Sequence, residues 1–599
     1  MGYAKLYDSW KSNPEAFWMK AAEAINWDKA PSFALNDTKA PLYEWYTDAM
    51  VNTCFNAVDR HVNAGRGEQA AIIYDSPITN TKQHISFAEL LEKTANLAGA
   101  LRAQGIQKGD RVIIYMPMVP DALVAMLACA RIGAIHSVVF GGFAANELAV
   151  RIDDAKPKAI LAASCGIEPG RVISYKPLID SAIEQSDHKP QTVIILQRPE
   201  LQADLIKGRD LDWYEAQHDV APASCVAVEG NHPAYILYTS GTTGEPKGTL
   251  YSHRSTVLHA MMLAISLPNA LKEGKKILPV VPLFHVNAWG LPYAAPLTGA
   301  GLVFPGPKLD GDSLFNLMET EKVYSAWGVP TVWLNLLQTI SRKQRPPVGF
   351  GDVVIGGASA PRAMIEDFEK LNINVCHAWG MTEMSPVGTQ GNIPYKLKDI
   401  SLQDKLDIKA KHGRRLFGVE LKIVNDQGTI LTHDGISQGD LYVRGHAITA
   451  GYFNNAEATR EAFDTDGWFS TGDIATIDCD GFLTIVDRSK DLIKSGGEWI
   501  SSLDIENIAI SHPHIANCTA IAAPHPKWGE RPILIVIPAN GITPDKNSIQ
   551  NLLSKHFAKW QIPDDIIFTE ILPLTATGKV SKLTLRNMYK NHFLIKDTK

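Results

Sequence analysis

Hydrophobic and polar positions alternate early in the chain in a way that predicts helices and strands in turn. A capping box at residues 86–89 opens a predicted helix that Gly105 ends. The inward-facing positions of this helix recur at helical spacing: Leu90, Thr94, Leu97 and Leu101. The apolar runs RVIIYM and IHSVVF, on either side of the helical segment DALVAMLACARIGA, predict buried strands. This alternation predicts a mostly parallel, doubly wound α/β sheet.

Two later regions repeat or vary this pattern. Residues 352–380 predict a strand, a glycine-rich turn, a helix and a second strand. The last hundred or so residues predict a small α+β unit, with a serine-capped helix in SSLDIENIAISHP and a strand in RPILIVIPA. A further helix is predicted from an apolar stripe at Ile549, Leu552, Leu553, Phe557 and Trp560. The charged segment at residues 487–491 is the predicted boundary before this unit.

Composition narrows the class of protein. The chain has 599 residues, 45% of them apolar and 20% charged, and a net charge of −6 without a long basic run. This profile is typical of a globular protein and disfavours nucleic-acid binding. Seven scattered cysteines predict reduced thiols in a cytoplasmic protein. The N-terminus lacks the apolar core of a secretory signal, and the most apolar stretch is broken by Arg131 and His136, so no membrane span is expected.

The segment YTSGTTGEPKG, residues 238–248, carries the first chemical signal. Lys247 stands between Pro246 and Gly248, which is not the order of a Walker A loop. The residue types of this segment still suit the binding of a triphosphate, because glycine backbone N–H groups approach anions closely and the lysine adds a point charge. The alternative interpretation is a polar surface turn.

Four further motifs follow in a fixed order. They are HAWGMTEMSP at 377–386, STGD at 470–473, VDRSKDLIKSGGEWI at 486–500 and TATGK at 575–579. Together with the first loop they resemble the adenylate-forming superfamily of acyl-CoA synthetases, firefly luciferases and peptide-synthetase adenylation domains. The resemblance implies a large N-terminal AMP-binding domain of doubly wound sheets and a distorted barrel at residues 1–488, which begins with a synthetase extension at 1–60. It also implies a small, mobile α+β domain at 489–599.

The resemblance also implies the chemistry. A carboxylate attacks the α-phosphate of ATP to give an acyl-adenylate and pyrophosphate, the small domain rotates about Lys490, and a thiol takes the acyl group with release of AMP. Mg²⁺ with ATP and the co-substrate CoA are therefore expected. Lys579 would neutralise charge where the carboxylate meets the α-phosphate, Thr382 would donate to that phosphate, and His285 completes the expected catalytic set. Glu383, with Thr239, would bind the metal through oxygen.

The resemblance implies further residues that bind the nucleotide. Trp379 would stack on adenine, and Gly357, Ala358 and Ser359 would form the adenine wall. Asp473 would accept hydrogen bonds from the ribose hydroxyls, and Arg488 would support the ribose. The full expected ATP-binding set is Thr239, Ser240, Gly241, Thr242, Thr243, Gly244, Lys247, Gly357, Ala358, Ser359, His377, Ala378, Trp379, Gly380, Met381, Thr382, Asp473 and Arg488.

The two parts of the chain resemble enzymes with different substrates. Up to about residue 248 the sequence resembles propionyl-CoA and acetyl-CoA synthetases, which implies CoA contacts from Gly142 and Arg171. Gly496 and Gly497 complete the expected CoA set. Glu168 stands where that family has a second arginine.

From about residue 249 the sequence resembles medium- and long-chain fatty acyl-CoA ligases and 3-methylmercaptopropionyl-CoA ligases. Gly380 replaces the tryptophan that caps the acyl pocket of short-chain enzymes, and each buried methylene contributes about 0.8 kcal/mol. Trp289 would gate the pocket beside His285, although packing at a helix start explains both residues equally well. The expected substrate is a medium- to long-chain fatty acid.

The sequence leaves several alternatives open. The acid could be short, such as propionate, 3-methylmercaptopropionate or acetate, or the adenylate could serve an acceptor other than CoA. A peptide-synthetase module, a luciferase and a non-catalytic binding protein are less favoured. The expected partners are small molecules rather than nucleic acid, and a homodimer is left open.

Overall fold

The computed structural model describes residues 3–38, 44–168, 170–239, 246–394, 397, 399–496, 498–539, 542, 544–573 and 580–594. The α-helices in these ranges are α1 (Tyr3–Ser12), α2 (Pro14–Ala22), α3 (Arg60–Asn63), α4 (Phe87–Ala103), α5 (Pro120–Arg131), α6 (Ala145–Ala155), α7 (Lys176–Gln185), α8 (His253–Ser266), α9 (Val286–Trp289), α10 (Leu291–Thr298), α11 (Gly311–Glu321), α12 (Pro330–Lys343), α13 (Arg362–Lys370), α14 (Leu402–Ala410), α15 (Ala456–Ala462), α16 (Ser502–Ala509), α17 (Lys546–Leu553) and α18 (Lys582–Tyr589).

The β-strands in the same ranges are β1 (Trp27–Lys29), β2 (Leu35–Asn36), β3 (Glu44–Trp45), β4 (Met50–Val51), β5 (Ala70–Ser76), β6 (Thr81–Ser86), β7 (Arg111–Met116), β8 (Ile135–Phe140), β9 (Ala159–Ala163), β10 (Cys165–Glu168), β11 (Arg171–Ser174), β12 (Thr192–Leu196), β13 (Asp210–Asp212), β14 (Val228–Glu229), β15 (Pro233–Thr239), β16 (Lys247–Ser252), β17 (Lys276–Pro279), β18 (Gly301–Phe304), β19 (Ser325–Gly328), β20 (Asp352–Ile355), β21 (Asn374–Gly380), β22 (Val387–Gln390), β23 (Arg414–Arg415), β24 (Val419–Val424), β25 (Gly439–Gly445), β26 (Phe469–Ile477), β27 (Leu483–Arg488), β28 (Ile493–Ser495), β29 (Glu498–Ile500), β30 (Ile515–His525), β31 (Gly529–Pro538) and β32 (Asp565–Phe568).

Two large, mostly parallel sheets dominate the described part of the large domain. One sheet has the strand order β13-β12-β9-β7-β8-β15-β16, and the other has β23-β22-β21-β20-β19-β17-β18-β5-β6. An antiparallel sheet, β24-β25-β26-β27, follows at the place of the predicted distorted barrel. The small domain has its own sheet, β29-β28-β31-β30, with β32 on β31. The predicted α/β fold with a large and a small domain is confirmed.

The local signals in the sequence are confirmed as well. Ser86 and Glu89 form both hydrogen bonds of the capping box at the start of α4. All four residues of the predicted inward-facing stripe of this helix, from Leu90 to Leu101, are fully buried. Gly105 follows the helix with φ +77°, a conformation that glycine adopts without steric cost. β7 and β8 pair in parallel, as the βα alternation predicted.

The predicted stripe near the C-terminus is partly wrong. Helix α17 ends at Leu553, and only Ile549 and Leu553 of the stripe are fully buried. Trp560 lies on a separate 3₁₀ turn and is 43% exposed. Apolar residues continue at helical spacing past the end of the helix, and spacing alone does not reveal where the helical hydrogen bonds stop.

The N-terminal extension packs on the large domain through aromatic rings. Phe17 stacks on Phe417 with centroids 4.8 Å apart, and Trp18 meets His446 edge-on at 4.2 Å. The Tyr46 hydroxyl donates to the Trp18 carbonyl oxygen over 2.7 Å. No helix in the described ranges is long and apolar enough to cross a bilayer.

Asp487, near the end of β27, joins the antiparallel sheet to the small domain. Its buried carboxylate accepts hydrogen bonds from the Ser502 backbone N–H at 2.7 Å and from the Ser502 hydroxyl at 2.6 Å. Farther along the segment, Arg586 of α18 donates to the Asp491 carboxylate and, over 3.4 Å, to the Lys490 carbonyl oxygen. The predicted hinge segment is therefore anchored to the small domain.

Replacing Asp487 with alanine should loosen the start of α16. Hydrogen bonds to a charged acceptor contribute roughly 1.5–3 kcal/mol, so amide exchange across 502–505 should become about 10- to 100-fold faster in native-state hydrogen exchange. Asp466→Ala, which removes an exposed carboxylate, is the matched control. Unchanged exchange at 502–505 in Asp487→Ala would contradict this anchoring role.

Candidate functional site

The ends of β15 and β16 place two predicted phosphate-site residues side by side. Thr239 and Lys247 are paired across the antiparallel ladder, and the Thr239 hydroxyl lies 3.5 Å from the Lys247 carbonyl oxygen. The Lys247 ammonium lies over the ring of Tyr452, 5.2 Å from its centroid. The intervening predicted residues, Ser240, Gly241, Thr242, Thr243 and Gly244, lie outside the described residues.

Thr382 and Glu383 form a 3₁₀ turn just after β21. The Tyr452 hydroxyl donates to Glu383 Oε1 over 2.8 Å, and the Thr449 backbone N–H donates to the Glu383 carbonyl oxygen over 2.7 Å. The hydroxyl of Tyr251, on β16, donates a hydrogen bond to the Thr382 carbonyl oxygen. Three hydrogen bonds from two other segments therefore fix this turn.

Burial governs the electrostatics of Glu383. Desolvation raises the pKa of its carboxyl group, whereas the Tyr452 hydrogen bond and the charges of Arg488 and Lys247 lower it. Burial, followed by the charge of Glu383, raises the pKa of the Tyr452 phenol, so this hydroxyl remains a donor. The predicted metal ligand thus lies within electrostatic reach of both predicted nucleotide-site cations.

The predicted adenine and ribose residues meet at one buried carboxylate. The Trp379 indole N–H, near the end of β21, donates to Asp473 Oδ2 over 3.0 Å. Arg488 Nε lies 2.7 Å from Asp473 Oδ1, and the two residues are paired between β26 and β27. Asp473 is 1% exposed, whereas the side chain of Arg488 is 42% exposed and can reach a ligand.

The predicted adenine wall follows β20. Gly357 has φ +75° at the turn, and Ala358 and Ser359 come directly after it. Two further members of the predicted nucleotide set, Ala378 and Met381, are buried and half-buried. They lie at the end of the neighbouring strand β21 and just beyond it, so the two strand ends bring these parts of the set to one edge of the sheet.

His377 lies behind this wall. Its ring is fully buried and accepts a hydrogen bond at Nε2 from the Ala360 backbone N–H over 3.3 Å, while Nδ1 lies 3.2 Å from the Ala410 carbonyl oxygen. Burial lowers the pKa of His377 to about 4, so the ring stays neutral. Both ring nitrogens are used within the protein, and His377 therefore supports the wall from the inside.

The predicted acyl gate lies on an unusual turn. All four residues of α9, Val286 to Trp289, have positive φ values between 44° and 59°. Left-handed backbone costs roughly 1–2 kcal/mol per non-glycine residue, so this turn must be held by its surroundings. Trp289 is 6% exposed, and its ring lies 3.3 Å from the place where a Cβ atom on Gly356 would project. His285 precedes the turn. The helix start expected as the alternative is thus a left-handed turn.

Gly380 is constrained by its neighbour strand. A Cβ atom at this position would overlap the Pro386 carbonyl oxygen and lie 2.9 Å from Val387 Cα. β21 and β22 are paired here with a register shift between Trp379 and Gly380. A side chain at residue 380 would require a backbone shift. This steric conflict is a second reason to expect no capping tryptophan here.

The predicted CoA residues are distributed over both domains. Gly142 follows β8, and a Cβ there would lie 3.1 Å from the Phe140 ring. Arg171 projects from an exposed hairpin and forms an ion pair of 2.7 Å with Glu168. Gly496, with φ +62°, lies in the small domain against the ring of Trp528. Gly497 and Lys579 lie outside the described residues.

One residue at this site, Tyr452, is marked by none of the sequence motifs. It follows Gly451 in an irregular segment that contacts β16 through an isolated bridge between Thr249 and Tyr452. No periodic pattern indicates such a position, and only the fold brings it to Glu383 and Lys247.

The chemistry of this region fits Mg²⁺ with ATP. Glu383 offers a buried carboxylate oxygen, the type of ligand that Mg²⁺ prefers. Thr239 and Lys247 lie at paired strand ends, and Lys247 contacts the tyrosine that binds Glu383. An anionic triphosphate and its cation would thus meet groups of opposite charge.

Family models match nearly the whole chain. The AMP-binding enzyme model covers residues 59–453, the AMP-binding enzyme C-terminal domain covers 504–579, and the acetyl-coenzyme A synthetase N-terminus covers 3–57. The chain therefore belongs to the AMP-binding enzyme family.

Individual relatives narrow the class. The 3-methylmercaptopropionyl-CoA ligase of Ruegeria lacuscaerulensis is 38% identical over 88% of this chain and 95% of that protein. The medium-chain-fatty-acid–CoA ligase of Ectopseudomonas oleovorans is 49% identical over 60% of this chain and 66% of that protein. The mitochondrial acyl-CoA synthetase short-chain family member 3 of Mus musculus is 34% identical over 96% of this chain and 86% of that protein. The protein is an ATP-dependent, AMP-forming acyl-CoA ligase that uses Mg²⁺ with ATP and CoA.

A solved structure agrees with this assignment. ATP-bound MatB from Rhodopseudomonas palustris matches with a TM-score of 0.76 and 25% identity, over 90% of this chain and 99% of that one.

The short-chain relative aligns over 598 residues. The short-chain likeness therefore extends well beyond the N-terminal part in which the sequence motifs indicated it.

Replacing Trp379 with phenylalanine should weaken nucleotide binding. The variant keeps an aromatic face but loses the N–H that holds Asp473, so ATP affinity should fall about tenfold, which corresponds to about 1.4 kcal/mol. Equilibrium titration with ATP checks this. Trp27→Phe is the matched control, because it also removes an indole donor, here to the Ala22 carbonyl oxygen in the N-terminal extension. Equal ATP affinity in Trp379→Phe and wild type would refute the coupling.

Proposed function

We propose that this acyl-CoA ligase activates a medium- to long-chain fatty acid. The observation that carries the proposal is the close approach of β22 to Gly380, which leaves no place for a side chain where short-chain enzymes have a capping tryptophan. An uncapped pocket admits additional methylenes, and each one that is buried contributes about 0.8 kcal/mol. The name of the medium-chain relative supports the same substrate class.

The proposed adenylation step begins with charge stabilisation at the reacting atoms. Thr382 and Lys579 stabilise charge at the α-phosphate, and His285, at the mouth of the acyl pocket, completes the proposed catalytic set. The bound Mg²⁺, with Glu383 and Thr239 as ligands, would supply charge neutralisation for the phosphates.

The remaining residues of the proposed site hold the nucleoside. Trp379, the wall at 357–359 and the other residues of the predicted ATP-binding set hold adenine and the phosphates, while Asp473 and Arg488 hold the ribose. Fixing the nucleotide in this way aligns the α-phosphate with the incoming carboxylate, which lowers the entropic part of the barrier.

The proposed second step uses the small domain. Lys490 acts as the hinge between the large domain, which ends at residue 488, and the small domain, which begins at residue 489. Rotation of the small domain brings Gly496 and Gly497 to CoA beside Gly142 and Arg171. A cytoplasmic location and a homodimer belong to the same proposal. Reduced thiols support the former, since all seven cysteines are free.

A second candidate is a short-chain acid such as propionate, 3-methylmercaptopropionate or acetate. The burial of Trp289 against Gly356 favours it, because a ring in this position fills the predicted pocket mouth. The names of two relatives point the same way. One methylene changes the preference of an enzyme between two acids by only about 1–3 kcal/mol, so the two substrate ranges can overlap.

A panel of straight-chain acids from C2 to C16 separates the candidates. With CoA consumption as the readout, we expect turnover over a broad range that extends beyond C4. Each acid is measured with and without ATP as its own control. A sharp optimum at propionate, with no turnover beyond C4, would instead establish the short-chain candidate.

The role of Lys579 is tested by separating the half-reactions. Lys579→Ala should abolish acid-dependent ATP–pyrophosphate exchange but preserve thioester formation from supplied acyl-adenylate. Lys590→Ala, which removes an exposed lysine of the same domain, serves as the control. If both half-reactions fall equally, Lys579 does not act specifically in adenylation.

A further inference from the structure

Tyr452 contacts two predicted parts of the nucleotide site at once. Its hydroxyl donates to Glu383 Oε1 over 2.8 Å, and its ring lies 5.2 Å from the Lys247 ammonium. The first contact is a hydrogen bond to a charged acceptor, and the second is a cation–π interaction. One side chain therefore joins the predicted metal ligand to the predicted phosphate lysine.

The backbone around Tyr452 is fixed independently of these two contacts. Its N–H donates to the Thr459 hydroxyl over 2.9 Å, and the next N–H, of Phe453, donates to the Gly248 carbonyl oxygen over 2.7 Å. Gly451 has φ +151°, and a Cβ there would lie 2.7 Å from Thr459 Cγ2. The backbone that carries the ring is thus held by contacts within the protein.

The neighbouring segment fixes Glu383 from the backbone side. The Thr449 N–H donates to the Glu383 carbonyl oxygen over 2.7 Å, and the Thr449 hydroxyl lies 3.3 Å from the Leu250 carbonyl oxygen of β16. Segment 449–453 therefore holds β16 and the turn at Glu383 together. A hydrogen bond at Oε1 sets the plane of the carboxylate and directs the other oxygen, as outer-shell partners of metal ligands do.

We propose that Tyr452 is a positioning residue that couples Mg²⁺ binding at Glu383 to phosphate binding at Lys247. This inference rests on the proposed roles of those two residues. Without the hydroxyl, the carboxylate loses its orientation, and without the ring, Lys247 also loses its support. The metal-dependent part of nucleotide affinity should therefore depend on the hydroxyl, while the metal-independent part should depend on the ring.

The test measures binding of α,β-methylene-ATP by calorimetry, without acid or CoA, in Mg²⁺ and in excess EDTA. Tyr452→Phe should weaken binding about 10- to 100-fold in Mg²⁺ and leave binding in EDTA unchanged. Tyr452→Leu should weaken binding in both conditions. Tyr442→Phe is the matched control, because Lys422 lies over that ring at the same 5.2 Å distance, and both affinities should stay unchanged.

A double-mutant cycle shows whether the hydroxyl acts through Glu383. Tyr452→Phe should cost little in a Glu383→Gln background, whereas additive losses would overturn the proposal. A Mg²⁺-dependent affinity within about twofold of wild type in Tyr452→Phe would also overturn it. The far-ultraviolet circular dichroism spectrum of Tyr452→Phe should match that of wild type, which separates positioning from misfolding. If wild type turns over no acid longer than C4, the proposed fatty-acid substrate fails while the binding result still stands.

Discussion

The buried carboxylate of Asp473 is the group on which the geometry of the predicted nucleotide site depends. A carboxylate removed from water is costly unless it is paired and hydrogen-bonded. Its partners come from different parts of the fold, since Trp379 lies near the end of a strand in the large parallel sheet and Arg488 ends the antiparallel sheet. Satisfying one buried charge thus fixes the relative position of an aromatic face and a partly exposed cation.

The same logic applies at Glu383, but with a different type of partner. Tyr452 is neutral, so it orients the carboxylate without cancelling the charge that a cation requires. Lys247 lies over the face of the same ring. A tyrosine is suited to this place because its edge carries a hydroxyl donor and its face attracts a cation.

The residues of the proposed acyl pocket are constrained by their backbone. The positive φ values of Val286 to Trp289 cost free energy that the surrounding packing must offset, and strain of this kind concentrates at functional sites. Gly380 is required by the approach of β22. These two observations favour different substrate ranges, because Gly380 would leave the proposed acyl pocket without a cap whereas Trp289 would fill its mouth.

The sequence by itself determined the local elements and the enzyme class. The capping box of α4, the βα alternation around β7 and β8, and five ordered motifs all depend on short-range spacing, which a sequence displays directly. The motifs also identified most candidate residues, whereas periodicity extended the apolar stripe beyond α17. Only the tertiary structure decided that His377 lies behind the predicted adenine wall, that α9 is left-handed, and that Tyr452 reaches Glu383 across 69 residues. Such contacts join segments that are distant in the chain, and their geometry is set by packing rather than by any local pattern.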